Sequence, residues 1–276
     1  MRKDSAGAGE AVVIDVKGLT KVYRRGKIGA GSLRRDILDR WARWRHRGTG
    51  RQEKARFLAL KDIDLTVRRG EIVALLGRNG AGKSTLLKII CRITAPTAGS
   101  IDLYGRVNAM LEVGVGFHGE LTGRENIYLS GAFLGMPKKE IDNKMESILQ
   151  FSEAEEFIDT PVKRYSSGMF VKLGVAVALH LDSEVVVMDE ALAVGDVSFQ
   201  QKCITYLKKA AREQGRTVIY VSHNMDTVRS FCQRGIVLEK GRILFDGDIE
   251  TAIGIYRGEA SVGSRGKTDN ERPQAG

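Results

Sequence analysis

Apolar positions along the chain follow two spacings, and the switching between them organises it. Short apolar runs predict strands at AVVIDV (11–16), FLALKDIDLTV (57–67), EIVALLG (71–77), EVVVMDE (184–190), RTVIYVSH (216–223), GIVLE (235–239) and GRILFDG (241–247). Helical spacing predicts helices over 83–92, 123–135, 137–151, 167–181, 197–213, 224–231 and 248–257. Strands alternating with helices imply an α/β fold whose central sheet is largely parallel. Between 123 and 181 helices follow one another with little strand signal, which predicts a helical subdomain set into that core. Residues 1–10 and 258–276 are rich in Gly, Ser and charge without apolar periodicity, so two disordered tails are expected around a domain at 11–257.

Composition narrows the class. A chain of 276 residues with 42% hydrophobic and 28% charged residues is expected to bury an ordinary soluble core. No window approaches the ~20 apolar residues of a membrane span, and the N-terminal MRKDSAGAGE carries no apolar core of a signal peptide or anchor. Cys91, Cys203 and Cys232 are odd in number and far apart, without zinc or redox spacing, which fits a reducing cytoplasm. The net charge of +10 is concentrated: residues 24–56 hold 12 Lys or Arg against 3 Asp or Glu, or +9, leaving 10 − 9 = +1 elsewhere. One basic insert on a near-neutral body points to an anionic membrane surface as readily as to nucleic acid.

The strongest chemical signal is Gly77-Arg78-Asn79-Gly80-Ala81-Gly82-Lys83-Ser84-Thr85, which follows the strand IVALL and leads into the helical pattern STLLKII. This is the context of a phosphate-binding loop. Its glycines let backbone N–H groups curl toward phosphates, and the helix contributes its positive end. Lys83 is expected to reach the β and γ phosphates of a nucleotide and the Ser84 hydroxyl to coordinate Mg²⁺. A glycine-rich turn with a solvated lysine is the plainer alternative, and the flanking strand and helix disfavour it. VVVMDE ends a buried strand in two carboxylates, a costly arrangement unless a metal or a proton transfer uses them. Asp189 is the expected Mg²⁺ partner and Glu190 the general base for the attacking water. His223, at the end of the next strand, is placed where open parallel sheets bind ligands; the γ-phosphate is its expected partner.

Tyr165-Ser166-Ser167-Gly168-Met169 resembles the signature motif of ABC-type ATPases, usually written LSGGQ. With the phosphate loop, VVVMDE, Ala193-Val194-Gly195-Asp196 and His223, the resemblance spans nearly all of 11–257. It implies a P-loop NTPase fold of the ABC type: a mostly parallel core sheet, an antiparallel β subdomain and a helical subdomain. It also implies a homodimer with two ATP molecules between the chains, each phosphate loop closed by the other chain's Ser166, Ser167 and Gly168. Tyr23 matches the family's adenine-stacking aromatic, a buried core tyrosine being the alternative. Phe117-His118-Gly119 stands where the family usually has a metal-contacting glutamine, which makes His118 a further candidate metal ligand.

That departure, YSSGM and DEALAVGD together resemble the ATPase subunits that export O-antigen, capsular polysaccharide or teichoic acid. The resemblance implies a separate polytopic membrane permease, a lipid-linked polysaccharide carried by it, no nucleic-acid partner, and a peripheral place on the cytoplasmic face of the inner membrane. Within the insert, Leu33, Ile37, Trp41 and Trp44 fall on one helical face and Arg35, Arg40, Arg43 and Arg47 opposite, with Ser32 as N-cap, an interfacial pattern. It resembles the gate helix of those exporters. A helix packed on its own domain is the plainer reading. Two rival functions stand beside export: an importer's ATPase, which predicts a glutamine near 118, and a soluble ABC ATPase acting on ribosomes or nucleic acid, which usually brings two cassettes or a coiled coil.

Overall fold

The computed structural model describes residues 11–24, 56–110, 114–189 and 196–259. The expected N-terminal tail, the C-terminal one beyond Glu259 and nearly all of the basic insert, Trp41 and Trp44 included, lie outside the described residues.

Two sheets carry the fold. The smaller is antiparallel, with β1 (Val12–Arg24) between β2 (Arg56–Arg68) and β4 (Ala98–Leu103). The first strand was expected to stop at residue 16 but runs on through LTKVYR. Lys17-Gly18 is a bulge: Gly18 takes φ 54° and donates its N–H to Asp64 Oδ1 at 2.8 Å, so pairing resumes beyond it.

The larger sheet has six strands. In spatial order they are β5 (Val107–Met110), β6 (Val185–Asp189), β7 (Thr217–Val221), β3 (Ile72–Leu76), β8 (Arg234–Glu239) and β9 (Arg242–Asp248). All neighbours are parallel except β8 and β9, a hairpin. Every residue of β3 is buried, and the pleat divides them. Val73 and Leu75 enter a cluster with Ile14, Val16, Leu60 and Leu65 of the antiparallel sheet, and with Leu86 and Ile90 of α1 (Lys83–Ile90). Ile72, Ala74 and Leu76 enter the other cluster with Val186, Phe199 and Phe231. Burying each of the four larger side chains contributes roughly 1.5–3 kcal/mol, so the strand that aims the phosphate loop is gripped from both faces.

The remaining helices are α2 (Gly123–Phe133), α3 (Lys138–Ser152), α4 (Ser167–Leu179), α5 (Val197–Gln214), α6 (Met225–Phe231) and α7 (Ile249–Arg257). All seven predicted helices are present, with ends within two residues of expectation. Their starts are chemically marked. Thr122, Ser166, Asp196, Asn224 and Asp248 each accept a first-turn N–H, and Thr122 with Glu125 forms a capping box. The three cysteines are free, and burial pushes their thiols up to about 11 at Cys91 and about 12 at Cys203 and Cys232. They pack as protonated side chains.

Candidate functional site

The loop after β3 curls around an open cleft of about 330 Å³, lined by Arg78 to Thr85 together with Phe57 and Ala59 of β2. Gly82 caps α1 at φ 111°, and a Cβ there would lie 2.9 Å from Ala59 O and 2.8 Å from Leu60 Cδ2. Only glycine fits that approach of loop to sheet. The turn between β8 and β9 braces the loop from behind: Gly241 N–H donates to Ala81 O at 2.9 Å, and Gly241 O accepts from Lys61 N–H at 2.8 Å. Lys83 opens α1, and its ammonium lies back on the loop, donating to Gly77 O at 2.5 Å and Arg78 O at 3.5 Å. The cleft thus offers a cation, a hydroxyl at Ser84, a second at Thr85 and the start of a helix, a set suited to phosphate.

Topology brings two more expected residues to this end of the sheet. Strands β6, β7 and β3 are parallel neighbours, so the loop after Leu76, the half-buried Asp189 ending β6 and His223, two residues beyond β7, share the C-terminal edge. His223 is exposed and its backbone is fixed from both sides. Before it, Ser222 Oγ accepts from Asn224 N–H at 3.1 Å; after it, Asn224 Oδ1 accepts the N–H groups of Asp226 and Thr227 at 3.1 Å. Its Nδ1 lies 3.3 Å from the Tyr256 hydroxyl of α7. Glu190 and Ala193-Val194-Gly195 lie outside the described residues.

The YSSGM segment forms a helix start well formed for contact with another molecule. Ser166 is the N-cap of α4, its Oγ accepting from Met169 N–H at 3.2 Å, which leaves its own O–H to donate. Ser167 and Gly168 occupy the first helical positions, whose N–H groups find no acceptor within a helix. Among the described residues a Cβ at Gly168 would meet only Ser166 Oγ, at 3.9 Å. These three residues line no part of the cleft of their own chain. Helix α4 is joined to the Asp196 segment by Lys172, whose Nζ is 2.8 Å from both Asp196 and Glu153 carboxylates. The Lys172 hydrogen bond holds the Asp196 carboxyl below the usual range, so the pair stays ionised at neutral pH.

Two expected residues are placed less directly. Tyr23 is exposed rather than core, and the aromatic that lines the cleft is Phe57, its cross-strand partner in the β1–β2 register. Directly opposed side chains share a sheet face, so Tyr23 flanks Phe57. His118 is exposed and outside the cleft lining; its Nδ1 accepts from Glu120 N–H at 3.4 Å. The buried Asn126 shapes its turn, accepting from His118 N–H at 2.7 Å and donating to the carbonyls of His118, Leu121 and Thr122. Phe57, Asn126, Gly241 and Tyr256 carry no motif, and the sequence reading missed all four. The break at Lys240 between GIVLE and GRILFDG marked a turn, which takes in Gly241 as well because the last strand starts at Arg242, yet nothing in it marked where that turn would dock.

Comparison with known proteins gives a consistent picture. Residues 60–193 match the family model for ABC transporters. The chain is 48% identical over 202 residues to the O-antigen export system ATP-binding protein RfbB of Klebsiella pneumoniae, covering 73% of this chain and 82% of that one. It is 39% identical over 199 residues, 72% of this chain and 36% of the relative, to the teichoic acids export ATP-binding protein TagH of Bacillus cereus. Among solved structures, a dimeric ATP-binding cassette in a post-hydrolysis state bound to ADP and phosphate superposes with a TM-score of 0.64 at 24% identity, covering 86% of this chain and 98% of that one. At that identity the likeness concerns the fold.

Proposed function

Because the chain belongs to the ABC transporter ATP-binding subunits, we propose that it hydrolyses ATP to drive export of a cell-surface polysaccharide, of the O-antigen, capsule or teichoic acid kind, across the cytoplasmic membrane. The observation that carries the reading is the gathering of the Lys83 cleft, Asp189 and His223 on one sheet edge, in a chain 48% identical to an O-antigen export system ATP-binding protein over 82% of that protein's length. No helix among the described residues is long and apolar enough to cross a membrane. The proposal includes a separate polytopic permease that carries the lipid-linked polymer, a peripheral place at the cytoplasmic face, and no nucleic-acid partner.

Each side chain has a part. The N–H groups of Gly77 to Gly82 and the Lys83 ammonium receive the phosphates, with Asn79, Ser84 and Thr85 beside them. Tyr23 and Phe57 offer ring faces to the base. Glu190 takes a proton from the attacking water, and His223 donates to the γ-phosphate. The donor set fits Mg²⁺: a serine hydroxyl and one carboxylate are hard oxygen ligands, and this ion usually completes its shell with phosphate and water. Ser84 and Asp189 would hold it; His118 would join them only through a ring that gave up its Nδ1 contact with Glu120 N–H and moved its proton off Nε2. When bound, Mg²⁺ neutralises charge building on the phosphate oxygens.

The homodimer reading rests on Gly168. Glycine in a helix costs up to about 1 kcal/mol relative to alanine, and no atom among the described residues requires it there. A nucleotide on a second copy would, if it approached the α4 N-terminus as an anion approaches any helix start. Gly168→Val is therefore expected to leave the melting temperature within a few degrees of wild type, while ATP no longer drives dimerisation in size-exclusion chromatography. A dimer formed as before would remove the α4 start from the interface.

The function as a whole is tested in cells deleted for the gene. Surface polysaccharide should disappear while lipid-linked polymer accumulates inside, and the wild-type chain but not Glu190→Gln should restore export. Loss of uptake of a nutrient with normal surface polymer would favour the importer.

A further inference from the structure

We infer that Tyr256 is a positioning residue for His223, fixing through Nδ1 the tautomer that lets Nε2 donate to phosphate. The inference rests on the proposed role of His223. Phosphate oxygens only accept hydrogen bonds, so an imidazole that serves them must carry its proton on the nitrogen facing them. In the neutral ring that leaves the other nitrogen an acceptor, and the hydrogen bond it receives decides the tautomer. The Tyr256 hydroxyl lies 3.3 Å from His223 Nδ1 and can supply that bond.

The hydroxyl is held firmly enough for the task. The Tyr256 ring is half-buried against the main core cluster, one turn from the fully buried Ile253 of the same helix. Helix α7 is capped by Asp248, which accepts from Thr251 N–H at 2.9 Å. It is tied to α6, the helix that follows His223, by Arg229 Nε at 2.8 and 3.0 Å from the two Glu250 oxygens. Backbone on both sides of His223 is fixed as described, so the Tyr256 hydroxyl acts on the ring's rotation and protonation. A contact of 3.3 Å is long for such a bond, as catalytic hydrogen bonds often are before substrate binds. No sequence motif marks the residue, because Tyr256 is 33 positions from its partner and reads as part of an amphipathic helix.

The test is a double-mutant cycle on the full chain, using steady-state hydrolysis of Mg-ATP and ATP affinity by calorimetry. Tyr256→Phe keeps the ring and removes only the hydroxyl, so melting temperature should change little. It should lower kcat by about tenfold, as loss of one net hydrogen bond does, with KM for ATP nearly unchanged. In a His223→Ala background the same change should cost nothing further, since a residue acting through His223 has nothing left to position. Full additivity of the two losses, or unaltered kcat in Tyr256→Phe while His223→Ala is impaired, would overturn the inference. If His223→Ala itself hydrolyses ATP like wild type, the reading of His223 fails first, and a kcat loss in Tyr256→Phe would then belong to another contact.

Discussion

Glu190→Gln is expected to bind ATP about as well as the wild-type chain while hydrolysing it slower by a factor on the order of 10² to 10⁴. The substitution exchanges a carboxylate for an isosteric amide that cannot take a proton from water. The phosphate cleft, which supplies the binding, is untouched: its lining runs from Arg78 to Thr85 with Phe57 and Ala59. A protein that binds ATP but cannot split it should accumulate in the ATP-bound form, so a stable dimer should appear on adding Mg-ATP and persist for many wild-type turnover times. Single-turnover hydrolysis and light scattering on the same sample check both halves. Wild-type turnover in the variant would assign the base elsewhere; slow turnover without a trapped dimer would keep the base and reject the two-chain arrangement.

Lys83→Ala should damage binding as well as turnover. The Lys83 ammonium donates to the Gly77 and Arg78 carbonyls, so the loop already holds a positive charge where phosphates are proposed to sit. Phosphate oxygens would exchange those weak neutral acceptors for charged ones, and hydrogen bonds to charged groups contribute roughly 1.5–3 kcal/mol. Removing the ammonium should weaken ATP affinity by about 10- to 100-fold and lower turnover further, because charge on the γ-phosphate oxygens is largest during transfer. Alanine is a good helix former at the start of α1, and the loop glycines keep their contacts, so the fold should survive. Calorimetry decides it: an unchanged ATP dissociation constant would remove Lys83 from the ground-state site.

Glu190 and Lys83 are candidates because they sit in local patterns, a strand ending in paired carboxylates and a glycine-rich turn between strand and helix, whose chemistry is written in consecutive residues. The helices were legible for the same reason. Their apolar faces and their N-caps at Thr122, Ser166, Asp196, Asn224 and Asp248 are local signals that tertiary packing had no cause to override.

What the sequence determined by itself was therefore the α/β alternation, the helical block from 123 to 181 and the glycine-rich loop between β3 and α1, and it nominated the candidate site residues. What it left to the tertiary structure was anything made by residues far apart along the chain. Strands β4 and β5 were missed because Ala98–Leu103 is largely exposed and Val107–Met110 is short with a buried Asn108; pairing with β1 and β6, not apolar pattern, makes them strands. The same holds within the site. Phe57 enters the cleft through the register of β1 on β2, Gly241 reaches Ala81 through a hairpin docked behind the loop, and Tyr256 meets His223 because α7 packs beside α6. Periodicity and motifs report the free energy of a segment with its own neighbours and with water. Contacts across tens or hundreds of positions depend on where the sheet order sets each strand end, and that is decided only when the core closes around β3.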